Sequence, residues 1–316
     1  MKTIVESRAS IIIYNIILSN NIDKGIVLLP ANICPIVPAT LYKAKTKFEF
    51  VDISEKDYSI DIDLILNRVQ NAEDISSILV SDTYGVELER EDFFAKIKMI
   101  NDKILIIHDR CLNIPYTESR QTLADVVLHS TGYSKYIDLS YGGFGFIQKT
   151  VDYNSRDIKF IRKDHDELVK SFNNVFKNKI RFGYQDTNWL GDSSLKIDKE
   201  NYFKEINDKF DSINSHKKIL NKIYSENINS RFQLGNCYNN WRFNLLVNNK
   251  NLVLNKIFEN NLFASSHYQS LVGIFGNGLG IKAENLHAKI INLFNDFRFT
   301  EKKAYLVSEI VNRYAE

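Results

Sequence analysis

What most constrains the fold of this chain is the order of its apolar runs. Short, almost wholly apolar stretches at residues 26–29, 48–53, 77–81, 104–107, 126–128 and 144–147 read as strands. Several of them end in polar or turn-forming residues: Pro30, Asp82, and the pair His108-Asp109. Between them, residues 7–20, 33–44, 61–69 and 89–100 carry helical patterns, with Pro35 and Pro38 tolerable near a first turn. Continuous apolar strands are covered on both faces, and strands alternating with helices need crossover connections. The pattern predicts an α/β fold with a mostly parallel sheet and helices on both faces. The second half reads differently. Residues 157–179 and 198–227 are polar-rich helical stretches, 241–247 is a strand and 252–260 a helix. Residues 300–314 form a terminal helix with Leu306, Ile310 and Val311 on one face. A boundary between 183 and 194, rich in Gly, Asp and Asn, predicts a large domain over 1–190 and a small α+β domain over 191–316.

Composition removes several function classes. The 316 residues carry 41 Lys+Arg against 39 Asp+Glu, and a net charge of +2 supplies no long-range field toward nucleic acid or a membrane surface. Cys34, Cys111 and Cys237 lack CxxC spacing, which argues against a disulfide framework or a zinc site and for a reducing cytoplasm. The six histidines show no ligand spacing, so no metal site is expected. The apolar stretch 11–18 is interrupted by Tyr14 and Asn15 and is too short to span a bilayer.

Ligands of an open parallel sheet gather outside the carboxyl ends of the strands. Asp109 follows such a strand, where a carboxylate needs a donor or a cationic partner. From periodicity alone, a helix N-cap or a salt bridge to Arg110 or a nearby lysine is the better reading. Lys135 ends the run His129-Ser130-Thr131-Gly132-Tyr133-Ser134-Lys135, which offers hydroxyl and backbone donors to a phosphate beside an amine. Taken alone, a Ser-x-x-x-x-Lys run is better described as a solvated surface loop. The segment Tyr141-Gly142-Gly143-Phe144-Gly145 lacks the spacing of a dinucleotide fingerprint, which disfavours a nicotinamide oxidoreductase.

Together, the order and spacing of these pieces resemble the DegT/StrS-type sugar aminotransferases, pyridoxal-phosphate enzymes of the aspartate aminotransferase type I fold. The family's Ser-Gly-Thr helix start corresponds to Ser7-Arg8-Ala9-Ser10, and its proline-led loop to Pro30-Ala31-Asn32-Ile33-Cys34. Val51-Asp52, Thr83-Tyr84-Gly85, His108-Asp109, Ser130…Ser134-Lys135 and Gly142-Gly143 follow in family order. The family's Gly-Tyr-Asn-Tyr-Arg loop is similar to Asp186-Thr187-Asn188-Trp189-Leu190.

The resemblance implies a mostly parallel sheet of the seven-stranded type and pyridoxal 5′-phosphate as cofactor. Lys135 would anchor the cofactor and shuttle a proton, and Asp109 would pair with its pyridinium nitrogen. Ser7, Arg8, Ala9 and Ser130 would hold the phosphate at a helix N-terminus. Asn188 would reach that phosphate from a second subunit, implying a homodimer with shared active sites. Tyr84 would border substrate and cofactor, with Arg110, His267 and Tyr268 as substrate contacts. The chain departs from the family at Cys34, where an aromatic residue usually covers the cofactor ring, and at Leu112, where Gln or His usually reaches the phenolic oxygen. It also carries only a short segment ahead of Ser7, implying that part of an active-site cover is missing. The expected activity is transfer of an amino group, with glutamate as donor, to a nucleotide-linked keto-sugar for surface polysaccharide or lipopolysaccharide. Another pyridoxal-phosphate reaction and a degenerate ligand-binding paralogue are the alternatives.

Overall fold

The computed structural model describes residues 1–191 and 197–316; residues 192–194 of the predicted boundary lie outside the described residues. In chain order the first part comprises β1 (Lys2–Glu6), α1 (Ala9–Ser19), β2 (Ile26–Pro30), α2 (Ile36–Lys43), β3 (Lys47–Val51), α3 (Ile62–Gln70) and β4 (Ile75–Ser81). It continues with α4 (Glu91–Ile100), β5 (Leu105–Asp109), β6 (Val126–Ser130), β7 (Gly143–Ile147) and α5 (Arg162–Asn178). Then come α6 (Lys199–Asn227), β8 (Phe243–Leu246), α7 (Lys250–Glu259), β9 (Ala264–Ser265), α8 (Ile281–His287), β10 (Ile290–Leu293) and α9 (Glu301–Tyr314).

A seven-stranded sheet runs β1-β7-β6-β5-β4-β2-β3. The strands from β3 to β6 are parallel, and β7 runs antiparallel to both β6 and β1. This is the α/β architecture the apolar runs predict. Its two faces read directly from residue alternation. Val27, Leu29, Leu79, Ile107 and Leu128 enter one core with α1 and α2, while Leu28, Ile78, Val80, Ile106 and Val127 enter another with α3 and α4. A central strand thus supplies both cores, which is why its sequence shows no polar alternation.

The second sheet is small and antiparallel, in the order β8-β10-β9. It packs with α6, α7 and α9 around Phe243, Leu245, Ile291 and Leu293. Helix α6 serves two cores: Tyr202 and Ile206 pack near Phe144 and Phe146, and Leu220, Ile223 and Tyr224 join the smaller core.

Three local readings need correction. Strand β1 is absent from the sequence reading, because five residues with two charged ends give too short a pattern for an edge strand. Helix α5 starts at Arg162, later than residue 157, because the Ile161 N–H bonds the Asn188 carbonyl at 2.7 Å and keeps that segment extended. In α9 the inner stripe is Ala304, Val307, Ser308 and Val311, whereas Leu306 is exposed. That stripe follows the i, i+3, i+4, i+7 spacing set by packing against α6 and α7.

Strand β1 sets where the first helix begins. It pairs antiparallel with β7, and β7 with β6, so β1 runs in the direction of β6. Ser7 and the start of α1 therefore emerge at the same edge as Ser130 and Asp109. Among the described residues, no helix is long and apolar enough to cross a membrane.

Candidate active site

The carboxyl edge of the large sheet opens into a cavity of about 990 Å³, at the upper end of the size of small-molecule sites. Strand ends, loops and the start of α1 form one wall. Trp241 and Arg242 ahead of β8, the segment Ser265-Ser266-His267-Tyr268 and His287 form the other.

Asp109 closes β5, in register with Ser81 on β4 and Leu128 on β6. Its Oδ1 accepts the Cys111 N–H at 2.9 Å. Arg110 is engaged elsewhere, with Asp82 at 3.4 Å and Glu87 at 2.6 Å, so it does not neutralise Asp109. A buried carboxylate held by the turn after its own strand remains available to a ligand in the cavity.

Lys135 lies in a tightly fixed loop. Its N–H bonds the Gly132 carbonyl at 3.2 Å. The preceding residue, Ser134, has a left-handed backbone (φ 59°), and its N–H donates to Asp138 Oδ2 at 2.8 Å. Asp138 is in turn ion-paired to Arg298 at 2.6 Å. Trp241 Nε1 donates to the Ser134 carbonyl at 2.7 Å, which ties the loop to the opposite wall. Lys135 and Asp109 share one neighbourhood. Burial pushes the Cys34 and Cys111 thiols up, and at each thiol the positive charge of Lys135 opposes and the negative charge of Asp109 reinforces that rise.

The start of α1 gives the cavity an anion-binding character. Arg8 caps the helix in an extended conformation with no side-chain cap hydrogen bond, and the first turn holds no acidic residue. The helix dipole and the N–H groups at this end favour negative charge. Ser7 is fixed by its carbonyl, which accepts the Gly142 N–H at 2.9 Å. Ser130 Oγ accepts the Gly132 N–H at 3.2 Å beside it. Gly143 permits this convergence, since a Cβ there would come within 2.2 Å of the Ala9 nitrogen.

Of the residues singled out from sequence, Ser7, Arg8, Ala9, Cys34, Asp109, Leu112, Ser130, Lys135, His267 and Tyr268 line this cavity. Tyr84 is fully buried behind it, its hydroxyl accepting the Tyr268 N–H at 3.3 Å. Arg110 points away, toward Asp82, Glu87 and the Tyr116 ring. Asn188 lies outside the cavity of its own chain, where its N–H bonds Asp164 Oδ2 at 2.8 Å. Sequence reasoning missed Trp241, Arg242, His165 and His287. The dipeptide Trp241-Arg242 at a strand start was the available signal, a large aromatic and a cation where an apolar run begins.

Burial and the nearby charges of Arg242, His287 and Lys135 lower His267 to about 4, so its ring is neutral in ordinary buffers. His287 is likewise lowered to about 4 by burial and by Lys250.

The fold is that of solved pyridoxal-phosphate-dependent aminotransferases. Spr1654 from Streptococcus pneumoniae, assigned as a sugar aminotransferase and solved in its PMP form, superposes with a TM-score of 0.73 at 14% identity, over 99% of this chain and 86% of that one. DesI, solved in the presence of its TDP-sugar product, gives 0.72 at 11% identity over 99% and 80%. A DegT DnrJ EryC1 StrS aminotransferase from Brucella abortus gives 0.69 at 12% over 100% and 86%. No family model matches the sequence, and no curated protein matches it.

Proposed function

We propose that this chain is a pyridoxal-phosphate-dependent aminotransferase acting on a keto-sugar. The observation that carries the proposal is the convergence of Lys135, Asp109 and the uncapped start of α1 on one cavity at the carboxyl edge of the sheet. The donor set suits the cofactor: main-chain N–H groups, Arg8, Ser7 and Ser130 for a phosphate, a carboxylate for a ring N–H, and an amine for an aldehyde. When bound, the cofactor supplies a conjugated electron sink.

The protein's own residues do the rest. The Lys135 amine anchors the cofactor and then takes and returns a proton at Nζ. Asp109, held by the Cys111 N–H, accepts the ring N–H and keeps that proton in place. Cys34 and Leu112 line the cavity, where Cys34 would offer a bound cofactor less contact area than an aromatic ring and Leu112 no hydrogen bond. Trp241 and Tyr268, with ring centroids 6.0 Å apart and planes at 11°, wall the opposite side.

Within this reading, residues 1–190 are the cofactor unit and 191–316 the smaller unit. The active form is a cytoplasmic homodimer in which Asn188 serves the neighbouring cavity. The sugar is nucleotide-linked, as for DesI, glutamate is the donor, and the product enters surface polysaccharide. The occupation of the ring-facing positions by Cys34 and Leu112 favours, as second reading, a different pyridoxal-phosphate reaction on the same fold.

Purified protein mixed with pyridoxal phosphate is expected to develop a visible absorption band, and borohydride is expected to fix the cofactor on the peptide containing Lys135. Lys135→Ala removes the fixation, and Asp109→Asn weakens cofactor binding. Absence of an adduct on Lys135 overturns the proposal. Conversion of the loaded protein to its amine form by glutamate separates transamination from the second reading.

A further inference from the structure

The chain as a whole is almost neutral, but its cavity is not. Among the described residues, Arg8, Lys135, Arg162 and Arg242 line it against the single carboxylate of Asp109. The cofactor reading accounts for Arg8 and Lys135 and leaves Arg242 without a role.

Arg242 is only 4% exposed and packs against two aromatic rings. Its Cζ lies 3.8 Å from the centroid of the Phe294 ring and 4.5 Å from that of Trp241. Nη1 donates to Ser265 Oγ, and Nη2 donates to Ser134 Oγ at 3.3 Å. Both acceptors are neutral hydroxyls. Among the described residues, Arg242 makes no ion pair, and Asp296, the acid whose charge acts on it, is paired to Arg298 at 2.9 Å. A buried guanidinium without a counter-ion is costly, and structures retain one where an anion will meet it. The two hydroxyls use two of its five N–H groups, which leaves a flat edge suited to the two oxygens of a carboxylate. Arg242 and Lys135 line the same cavity and the charges of both act on His267, so an anion held by Arg242 shares the neighbourhood of the Lys135 amine.

We propose that Arg242, oriented by Ser134 and Ser265 and packed against Trp241 and Phe294, is the carboxylate-binding subsite for the amino-acid or oxo-acid substrate. It is separate from the anion site at the start of α1. The assignment rests on the aminotransferase reading for the identity of the ligand.

The test uses protein fixed with pyridoxal phosphate and borohydride, in which the first anion site is filled and turnover is blocked. Titration with 2-oxoglutarate is expected to give a saturable change in Trp241 fluorescence, since Trp189, the other tryptophan, is fully buried away from the cavity. The dimethyl ester of the probe gives no such change. Arg242→Gln weakens 2-oxoglutarate binding by roughly tenfold to hundredfold, and Arg242→Lys, which keeps the charge and loses the fork, restores only part of it. Equal binding of the acid and its ester by the wild-type protein overturns the assignment without requiring a variant to fold. So does unchanged affinity in Arg242→Gln, or equal displacement of the probe by inorganic phosphate. If no cofactor is fixed on Lys135, the aminotransferase reading fails alone, and the same titration of untreated protein still decides the role of Arg242.

Discussion

Cys34 and Cys111 both lie within reach of the charges of Lys135 and Asp109, and their chemistry follows from that position. Burial is the dominant influence on both thiols and raises them above their usual value of 9.0. The thiolate is the reactive form, so both are poor nucleophiles at mild pH even though Lys135 draws Cys34 part of the way back. Cys237 is exposed on the surface. Brief iodoacetamide treatment of the folded protein at pH 8 is therefore expected to label Cys237 first, to reach the half-buried Cys34 more slowly and to spare the buried Cys111. Peptide mass mapping checks this, and comparable labelling at Cys34 would contradict the burial argument. The same residues show what was legible in sequence. Lys135, Asp109 and Cys34 stand in a recognisable order after apolar strands, so their neighbourhood could be anticipated. Arg242 carried only a weak signal, a cation beside tryptophan where an apolar run begins, with no periodicity or spacing to fix its place. Its significance comes from Phe294, Ser265 and Ser134, which are distant in sequence.

Among the elements, the parallel strands were legible because each is a compact apolar run ended by a turn-forming or polar residue, and such runs need no partner to be recognised. Strand β1 depends on its partner β7 for its conformation, and the start of α5 depends on the Asn188 carbonyl, so neither could be located from its own residues. Helix α6 makes the most specific prediction at this scale. Its two ends pack into different cores, so its middle transmits order between them. Asp211 is exposed near that middle. Asp211→Pro deletes a main-chain donor and sets a ring against the preceding turn, at about 3 kcal/mol or more. Denaturant unfolding of this variant is expected to lose that amount and to separate into two steps, the smaller core melting first. A single unshifted transition would show that the two cores do not communicate through α6. A second substitution probes the junction at the cavity. Gly143→Ala places a Cβ 2.2 Å from the Ala9 nitrogen, with backbone on both sides, so α1 must shift. A cost of roughly 1–3 kcal/mol in a thermal melt is expected, together with weaker phosphate binding at the start of α1.

For the whole molecule, buried titratable groups set the pH at which folding is most favourable. Burial holds His267 and His287 near 4 and His129 well below its usual 6.5. The unfolded chain binds more protons between about 6.5 and 4, so stability is lost as pH falls through that window. Burial also lowers two amines from 10.5, Lys217 to about 7 and Lys250 to about 8. Lys217 donates to the Trp241 carbonyl at 2.9 Å and to Asn295 Oδ1 at 2.8 Å, contacts that a neutral amine also satisfies. Above about 7 the unfolded chain keeps a proton on this lysine that the folded chain has released, so stability rises with pH toward 10.5. Thiols and phenols end the rise. Cys34 and Cys111 are raised above 9.0, and Tyr84 and Tyr268 above 10.0, so the folded chain retains protons that the unfolded chain loses. Stability then declines. The maximum is expected near pH 9, where the rise driven by Lys217 and Lys250 meets the decline driven by the thiols. Thermal melts across pH 4 to 10 locate it, and Lys217→Met, although less stable overall for the two carbonyl groups it leaves without a donor, should flatten the slope between pH 7 and 9. A maximum at pH 6 or below, or an unchanged slope in that variant, would mean that Lys217 remains charged in the folded core.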